Sequence, residues 1–578
     1  MEVVSKNKSN KAIKPTAIKM SGADAVIRSL IDHGVDYIFG YPGGANMPIY
    51  DSVYNMSDEI THVLARHEQG AIHAAEGYAR SSGRVGVVFA TSGPGATNLI
   101  TGIADAHLDS TPLVCITGQV NANLLGSDAF QETDVTGITS PITKWNYQLT
   151  KKEEIVEVIA KAFYIASTGR PGPVLIDISK DIQFEEIEYE LKKHEYIRSY
   201  VPYPKLNIEE LKEAAELINS AKKPMIIFGQ GVILSGAEKQ LKELVEKADI
   251  PAANTLLGIS ALDTDHPNAV GMVGMHGNYA PNVLTNSCDV LIAIGMRFDD
   301  RITGDLNQYA KQAKVIHFDI DKSEFHKNVK AEVTVLGDAK ATLTNVLDYI
   351  EKNNHSDWKA EFDKLEAIEK EEIWDKILKP SEGKITMAEV VRDVSKMTDG
   401  EAVVVTDVGQ HQMFASRYSL FKQTKSFISS GGLGTMGFGL PAAIGAKLGA
   451  PNREVVSFSG DGGFQMTMQE FGTIMEYGVT VKQVVLNNGY LGMVRQWQDL
   501  FFDKRYASTP MMSPEFGKIA EAYGIEYKKV EKREDLQAAL QEMLDCDKSY
   551  LLEVAVQEEL NVFPMVPGGA AVTEVRLK

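Results

Sequence analysis

The chain has 578 residues, too many for one hydrophobic core, so three or four domains are expected. Its 59 basic and 78 acidic residues leave a net charge of −19, which argues against a nucleic-acid backbone as partner but not against small anionic substrates. No apolar run reaches the ~18 residues a membrane span needs, and three sparse cysteines, Cys115, Cys288 and Cys546, give no disulfide framework and suggest a reducing compartment.

Residues 1–20 are Lys-rich and polar, without the apolar core of a secretory signal, and read as a disordered leader. The first block, 21–190, has short apolar strands at Val85–Ala90 and Pro112–Thr117 flanking a helical stretch from Ala96 to Leu108. Such a strand–helix–strand unit implies a parallel sheet. The charged segment Glu185–Tyr203, ending in Pro202 and Pro204, reads as a linker. The second block, 205–345, repeats the pattern with strands at Met225–Phe228, Val290–Ile294 and Val315–Phe318. Glu351–Lys379 is charged, helical in pattern and expected on the surface. The third block, 384–560, has strands at Ala402–Thr406, Val455–Ser459 and Gln483–Leu486, and the Pro/Gly-rich tail 561–578 reads as extended. The fold class is therefore α/β, three doubly wound parallel-sheet domains in a row. The first and third can share a fold without sharing sequence. Ligands of such sheets bind beyond the carboxyl ends of the strands.

Two motifs stand at those ends in the third block: Gly460-Asp461-Gly462 and, 24 residues later, Asn487-Asn488. Asp461 offers an anionic oxygen and Asn488 a neutral one, the few hard donors that magnesium takes beside phosphate and water. The glycines let backbone approach a phosphate, and a helix expected from about Phe464 points its N-terminus there. A lone GDG is an ordinary strand-to-helix turn. Paired with NN at this spacing it resembles the signature of thiamine-diphosphate enzymes, whose metal is held by the positions of Asp461, Asn488 and the main-chain carbonyl of Tyr490. The same family carries a glutamate that hydrogen-bonds the cofactor's aminopyrimidine ring. By spacing alone Glu68, before the small-residue helix Ala71–Arg80, reads as an N-cap. The resemblance of Arg66-His67-Glu68-Gln69-Gly70 and Ala75-Glu76-Gly77-Tyr78-Ala79-Arg80 to the family pattern assigns it that catalytic role instead.

The resemblance covers almost the whole chain and is closest to the acetohydroxyacid synthases. It rests on Tyr41-Pro42-Gly43-Gly44, Thr91-Ser92-Gly93-Pro94-Gly95, Ala129-Phe130-Gln131-Glu132, Gly169-Arg170-Pro171-Gly172-Pro173, Arg297-Phe298-Asp299-Asp300-Arg301, Gly409-Gln410-His411-Gln412, Gly431 to Gly437, and Gly492-Met493-Val494-Arg495-Gln496-Trp497-Gln498. Where many relatives carry acidic or polar residues after NN, this chain reads Gly489-Tyr490-Leu491-Gly492; only the backbone of Tyr490 is asked to bind metal.

The resemblance implies decarboxylation of pyruvate on thiamine diphosphate with Mg2+, and transfer of the two-carbon unit to pyruvate or 2-ketobutyrate, early in branched-chain amino-acid synthesis. Gly44 and Gln131 would steady a developing oxyanion, Lys180 is a further catalytic candidate, and Met436 would wedge the cofactor into a bent form. Arg301 would take the carboxylate of the second substrate, and Trp497 would border that pocket. Gln410, His411, Gly434, Gly460, Gly462, Gly463, Gly492 and Met493 complete the expected cofactor contacts. The middle block resembles a FAD-binding domain through the Gly229-Gln230-Gly231 turn, Arg170, Thr255, Leu256, Met275, His276, Gly277, Gly295, Arg297, Asp299, Arg301, Asp319, Ile320, Gly337 and Asp338, with a structural flavin, since the reaction is not a redox reaction. A homodimer or homotetramer with the active site between chains, a small regulatory subunit of the kind the family often has, and a bacterial cytoplasm are further expectations, a plastid staying open. Pyruvate oxidase, a catabolic acetolactate synthase and a non-catalytic flavin- or nucleotide-binding protein stay open beside this reading.

Overall fold

Three six-stranded, wholly parallel sheets organise the chain in the computed structural model, which describes residues 18–380 and 382–578. The leader expected at 1–20 falls, up to residue 17, outside the described residues, and Ile18–Ser21 is already a strand. It pairs antiparallel with Glu186–Tyr189, inside the segment expected to be a linker. The cause is alternation: Ile187 and Tyr189 are buried while Glu186 and Glu188 face out, a period-two pattern hidden by high charge.

The first and third sheets have the same strand order. In the first, Tyr37–Gly40 lies between Thr61–Leu64 and Gly86–Ala90, followed by Leu113–Gln119, Pro173–Ser179 and Trp145–Leu149. In the third, Val403–Thr406 lies between Phe427–Ser429 and Val455–Gly460, followed by Lys482–Asn487, Tyr550–Ala555 and Glu526–Val530. Numbered within each block, both run 2-1-3-4-6-5. The middle sheet runs 3-2-1-4-5-6 from Ala269–Met272 through Ala252–Asn254, Pro224–Phe228, Val290–Ile294 and Lys314–Asp319 to Val333–Leu336. That is the order of dinucleotide-binding sheets, whose ligand crosses the point where strand order reverses. The central strands are unbroken apolar runs because helices cover both faces of each sheet.

Two blocks meet through glycine. The small-residue helix forms over Glu68–Ser82 and crosses Gly439–Gly449. A Cβ on Gly77 would stand 1.9 Å from the carbonyl oxygen of Ala442, and one on Gly445 1.7 Å from that of Ala74. Only glycine lets the two backbones come this close. The helix expected at Ala96–Leu108 is split into Pro94–Thr97 and Ile100–Leu108.

The charged stretch expected on the surface forms the helix Ser356–Glu369, a π-helical turn over Lys370–Trp374 and the helix Asp375–Leu378. One face is not surface: Trp358 and Phe362 are buried against the middle block, and Glu369 accepts hydrogen bonds from Asn278, Trp374 and Arg417. Two apolar residues four apart suffice to anchor such a helix, however charged its other faces. The tail 561–578 has no helix or strand, but Val562, Met565, Val566, Ala571 and Val572 are buried, and the Val566 N–H donates to the Met275 carbonyl at 2.8 Å.

Candidate active site

In the third block the site gathers where the strand order reverses, between the carboxyl ends of Val403–Thr406 and Val455–Gly460. From the first end come Gly409, Gln410 and His411, from the second Gly460 to Gly463. Gly409 has φ +149°, and a Cβ on Gly460 would stand 3.1 Å from His411 Nδ1. His411 is buried, which pushes its pKa down to about 3 and keeps the imidazole neutral. The helix expected from Phe464 begins three residues earlier and spans Asp461–Thr467, with Gly460 in the cap position. Asp461 therefore lies in the first helical turn rather than in a loop.

Asp461 is fully buried, and burial raises its pKa to about 6 against a hydrogen bond from Ser513. Its Oδ2 accepts from Ser513 Oγ at 3.0 Å, while its Oδ1 has no partner among the described residues. Asn488, at the end of the adjacent strand, is buried, and its Oδ1 accepts the Tyr490 N–H at 3.2 Å. A Cβ on Gly492 would stand 2.3 Å from Gln410 Oε1 and 2.8 Å from Asn488 Nδ2, so these three residues converge. Leaving a carboxylate oxygen buried and unpaired costs about 1–3 kcal/mol or more, which marks Asp461 Oδ1 as an atom awaiting a ligand. The donor set fits a hard cation such as Mg2+.

Two residues that the sequence reading passed over support this site. Asp407, fully buried, accepts the N–H groups of Val408, Gly437 and Gly439 and thereby fixes the turn beside Met436. Its place at the carboxyl end of Val403–Thr406 was the available signal. Ser513, which meets Asp461, lies in a loop with no local motif.

Glu68 is not an N-cap. His67 takes that position, its Nδ1 accepting the Gln69 N–H at 3.0 Å, and Glu68 is the first helical residue. The Glu68 carboxylate is buried and accepts from Asn98 Nδ2 at 2.9 Å. Asn98 is its one described side-chain partner, and it belongs to the same block. Gly44 and Gln131 are exposed, Gln131 with φ +60° and its carbonyl against Gly93. Lys180 begins the short helix Lys180–Phe184 at the end of its strand. None of these four lines the main cavity.

That cavity, of about 570 Å³, opens at the order reversal of the middle sheet and runs to the third block. Its volume lies in the range of cofactor sites. Every residue expected to contact FAD lines it except Gly277, which packs beneath against the Met272 and Val273 backbone. At the far end stand Gly434, Met436, Met493 and Trp497. His276 is buried and neutral, its pKa pushed down to about 3 by burial and by Arg417, and its Nδ1 has no described partner. Burial raises Asp319 to about 7. Arg170 bridges two blocks, donating to Ser110 at 2.9 Å and to Asp321 and Glu324 at 3.1 and 2.9 Å.

Arg301 lines the cavity with a side chain 61% exposed, 3.8 Å from Asp300 and 3.9 Å from Met275 Sδ. So loose a surface pair leaves the guanidinium available. A Cβ on Gly568 of the tail would stand 3.9 Å from Met275 Cε and 4.0 Å from the Trp497 ring, so Met275 joins Arg301 to Trp497 under the tail.

Three domain families of thiamine pyrophosphate enzymes match in order: the N-terminal TPP binding domain over residues 20–138, the central domain over 211–346 and the C-terminal TPP binding domain over 407–554. The chain is 45% identical to the probable acetolactate synthase large subunit of Methanococcus aeolicus, over 96% of this chain and 95% of that one. It is 44% identical to the acetolactate synthase large subunit of Lactococcus lactis subsp. lactis, with the same coverage. Identity to the acetolactate synthase isozyme 2 large subunit of Escherichia coli is 45%, over 96% of this chain and 99% of that one. With all three domains in order and full-length identity of this degree, the chain belongs to the thiamine-pyrophosphate enzymes and, among them, to the acetolactate synthase large-subunit family.

Proposed function

We propose that the chain is the catalytic subunit of an acetolactate synthase, which decarboxylates pyruvate and joins the two-carbon unit to a second 2-keto acid. The observation that carries the acceptor half of this reading is the single cavity that holds Arg301, Met436 and Trp497 together. When bound, thiamine diphosphate supplies a thiazolium carbon that adds to a keto group and an electron sink for loss of carbon dioxide.

The chain's own residues supply the rest. Glu68 would hold a proton for the cofactor's aminopyrimidine ring, its carboxylate steadied by Asn98. Asp461, Asn488 and the Tyr490 carbonyl would hold Mg2+; the unpaired Asp461 Oδ1 supports this. Gly44 and Gln131 would donate hydrogen bonds to an oxygen that develops negative charge, with Lys180 after the end of Pro173–Ser179 as a further polar group. Arg301 orients the acceptor's carboxylate, and Trp497 favours 2-ketobutyrate by contact with its extra methyl. FAD fits the middle block, given the 3-2-1-4-5-6 sheet and the cavity-lining His276, whose buried Nδ1 has no described partner. No step of the reaction is routed through it.

The active unit is a homodimer or homotetramer with the site shared between chains. Phe130, beside Gln131, is 87% exposed, and Met512, beside Ser513, 95% exposed, as expected of residues that a second copy covers. The "large subunit" of the relatives' names supports a small regulatory partner. A cytoplasmic location agrees with three free cysteines.

Product formation from pyruvate with Mg2+, thiamine diphosphate and FAD, with and without 2-ketobutyrate, tests the reading. Acetolactate alone, and mainly acetohydroxybutyrate from the mixture, is expected. Acetate or acetaldehyde would overturn the roles of Arg301 and Trp497.

A further inference from the structure

Between the helices Glu68–Ser82 and Ile100–Leu108 lies a set of buried titratable side chains that the reaction does not use. His73, Glu76 and Asp105 have no exposed surface, and Asp109 has 1%. They face the turn Ser429–Met436 of the third block, whose Ser430, Gly431, Gly432, Gly434 and Met436 line the cavity.

The turn is held largely by side chains of the first block. Ser430 Oγ donates to Asp105 Oδ1 at 2.7 Å and accepts the Thr435 N–H at 2.8 Å. Asp109 accepts the N–H groups of Gly431 and Gly432 at 2.9 and 2.7 Å. Arg80 donates to the Ser429 carbonyl at 2.5 Å and to Asp109 at 3.4 Å. From the other side Gln412 Nε2 donates to Ser429 Oγ and the Ser430 carbonyl.

With every carboxyl ionised, the charges of this set do not balance. Three carboxyls, Glu76, Asp105 and Asp109, face one close guanidinium, Arg80. His73 donates to or accepts from Glu76 Oε1 at 2.9 Å, but burial pushes its pKa down, so it adds no cation. Of the other ionisable groups around them, Cys115 behind Glu76 and Asp407 beside His73 add no positive charge, and Arg297 reaches only Asp109. Glu76 Oε2 and Asp105 Oδ2 are buried without a described partner, and ligand atoms of His73, Glu76 and Asp105 lie within 4.8 Å of one another. Two like-charged carboxylates so close in a dry interior cannot both ionise.

We propose that Asp105 and Asp109 are positioning residues for the turn that carries Met436, and that Glu76 and Asp105 hold one proton between them, which keeps this clamp closed at neutral pH. The inference rests on the reading of Met436 as a cofactor contact. Burial and the neighbouring carboxylates push Asp105 up to about 8 and Glu76 in the same direction. Loss of the shared proton would set two carboxylates against each other and strain the turn.

The test is binding of thiamine diphosphate with Mg2+ to the full chain, read by intrinsic fluorescence across neutral and alkaline pH. Wild-type affinity should hold near neutrality and fall above about pH 8. Glu76→Gln, which removes one of the two charges, should flatten that alkaline fall; an unchanged fall overturns the shared proton. Ser430→Ala removes only the hydroxyl link and should weaken binding about tenfold at every pH, with the alkaline fall retained. Met436→Ala separates the clamp from the reading beneath it. Weakened binding in Met436→Ala with none in Ser430→Ala overturns the clamp alone, whereas no loss in either overturns the placement of the cofactor against this turn, and the clamp with it.

Discussion

Glu68 shows how one atom's surroundings set its job. As the first residue of its helix it caps nothing, and its carboxylate meets only Asn98 among the described side chains, which leaves one oxygen for a ligand. Glu68→Gln keeps the shape and loses the proton, so turnover should drop by about 10²–10⁴-fold while thiamine diphosphate still binds, as steady-state kinetics and a binding titration would show. Near-normal turnover would sink its role. Arg301, loosely paired with Asp300, is free to take a carboxylate. In Arg301→Ala, ligation measured as acetolactate should fall more than carbon dioxide release; equal losses would remove Arg301 from the acceptor pocket.

At the scale of elements, the contact of Glu68–Ser82 with Gly439–Gly449 ties the first block to the third. It depends on Gly77 and Gly445, whose missing side chains leave no room for a methyl. A backbone collision cannot relax by rotamer change, so Gly445→Ala should cost about 3 kcal/mol or more. An unfolding midpoint close to wild type in chemical denaturation would show that the helices do not pack this closely. The tail is an element only by contact: it has no regular structure, yet it closes over Met275 and Trp497.

Over the whole molecule, buried carboxyls link stability to pH. Asp105, Asp177 and Asp319 are raised by burial to about 8, 6 and 7 from ordinary values near 3.8. Each folded group binds a proton that the unfolded chain has already released, so its contribution is full below about pH 4 and is lost as pH rises through the folded value. The thermal midpoint of wild type should therefore decline between about pH 4 and 8, and that of Glu76→Gln should decline less. Parallel curves for the two proteins would show that Glu76 does not bear on Asp105.

How much was legible follows from the range of each interaction. Chain-local chemistry was readable: apolar runs foretold the central strands, and Gly460-Asp461-Gly462 and Asn488 stand, as expected, at neighbouring strand ends of one sheet. The role proposed for Glu68 rests on resemblance, because its spacing alone pointed to a cap that His67 in fact supplies. Not readable were groups whose meaning lies in a partner far along the chain. Asp105 meets Ser430, Asp109 meets Gly431, Ser513 meets Asp461, and Trp358 and Phe362 turn a charged helix inward. By itself the sequence determined three parallel α/β blocks and the donor types at their strand ends, since periodicity and turn chemistry act over a few residues. The tertiary structure alone decided which strand ends share a cavity and which buried carboxyls share a proton, because both depend on distances between residues hundreds of positions apart.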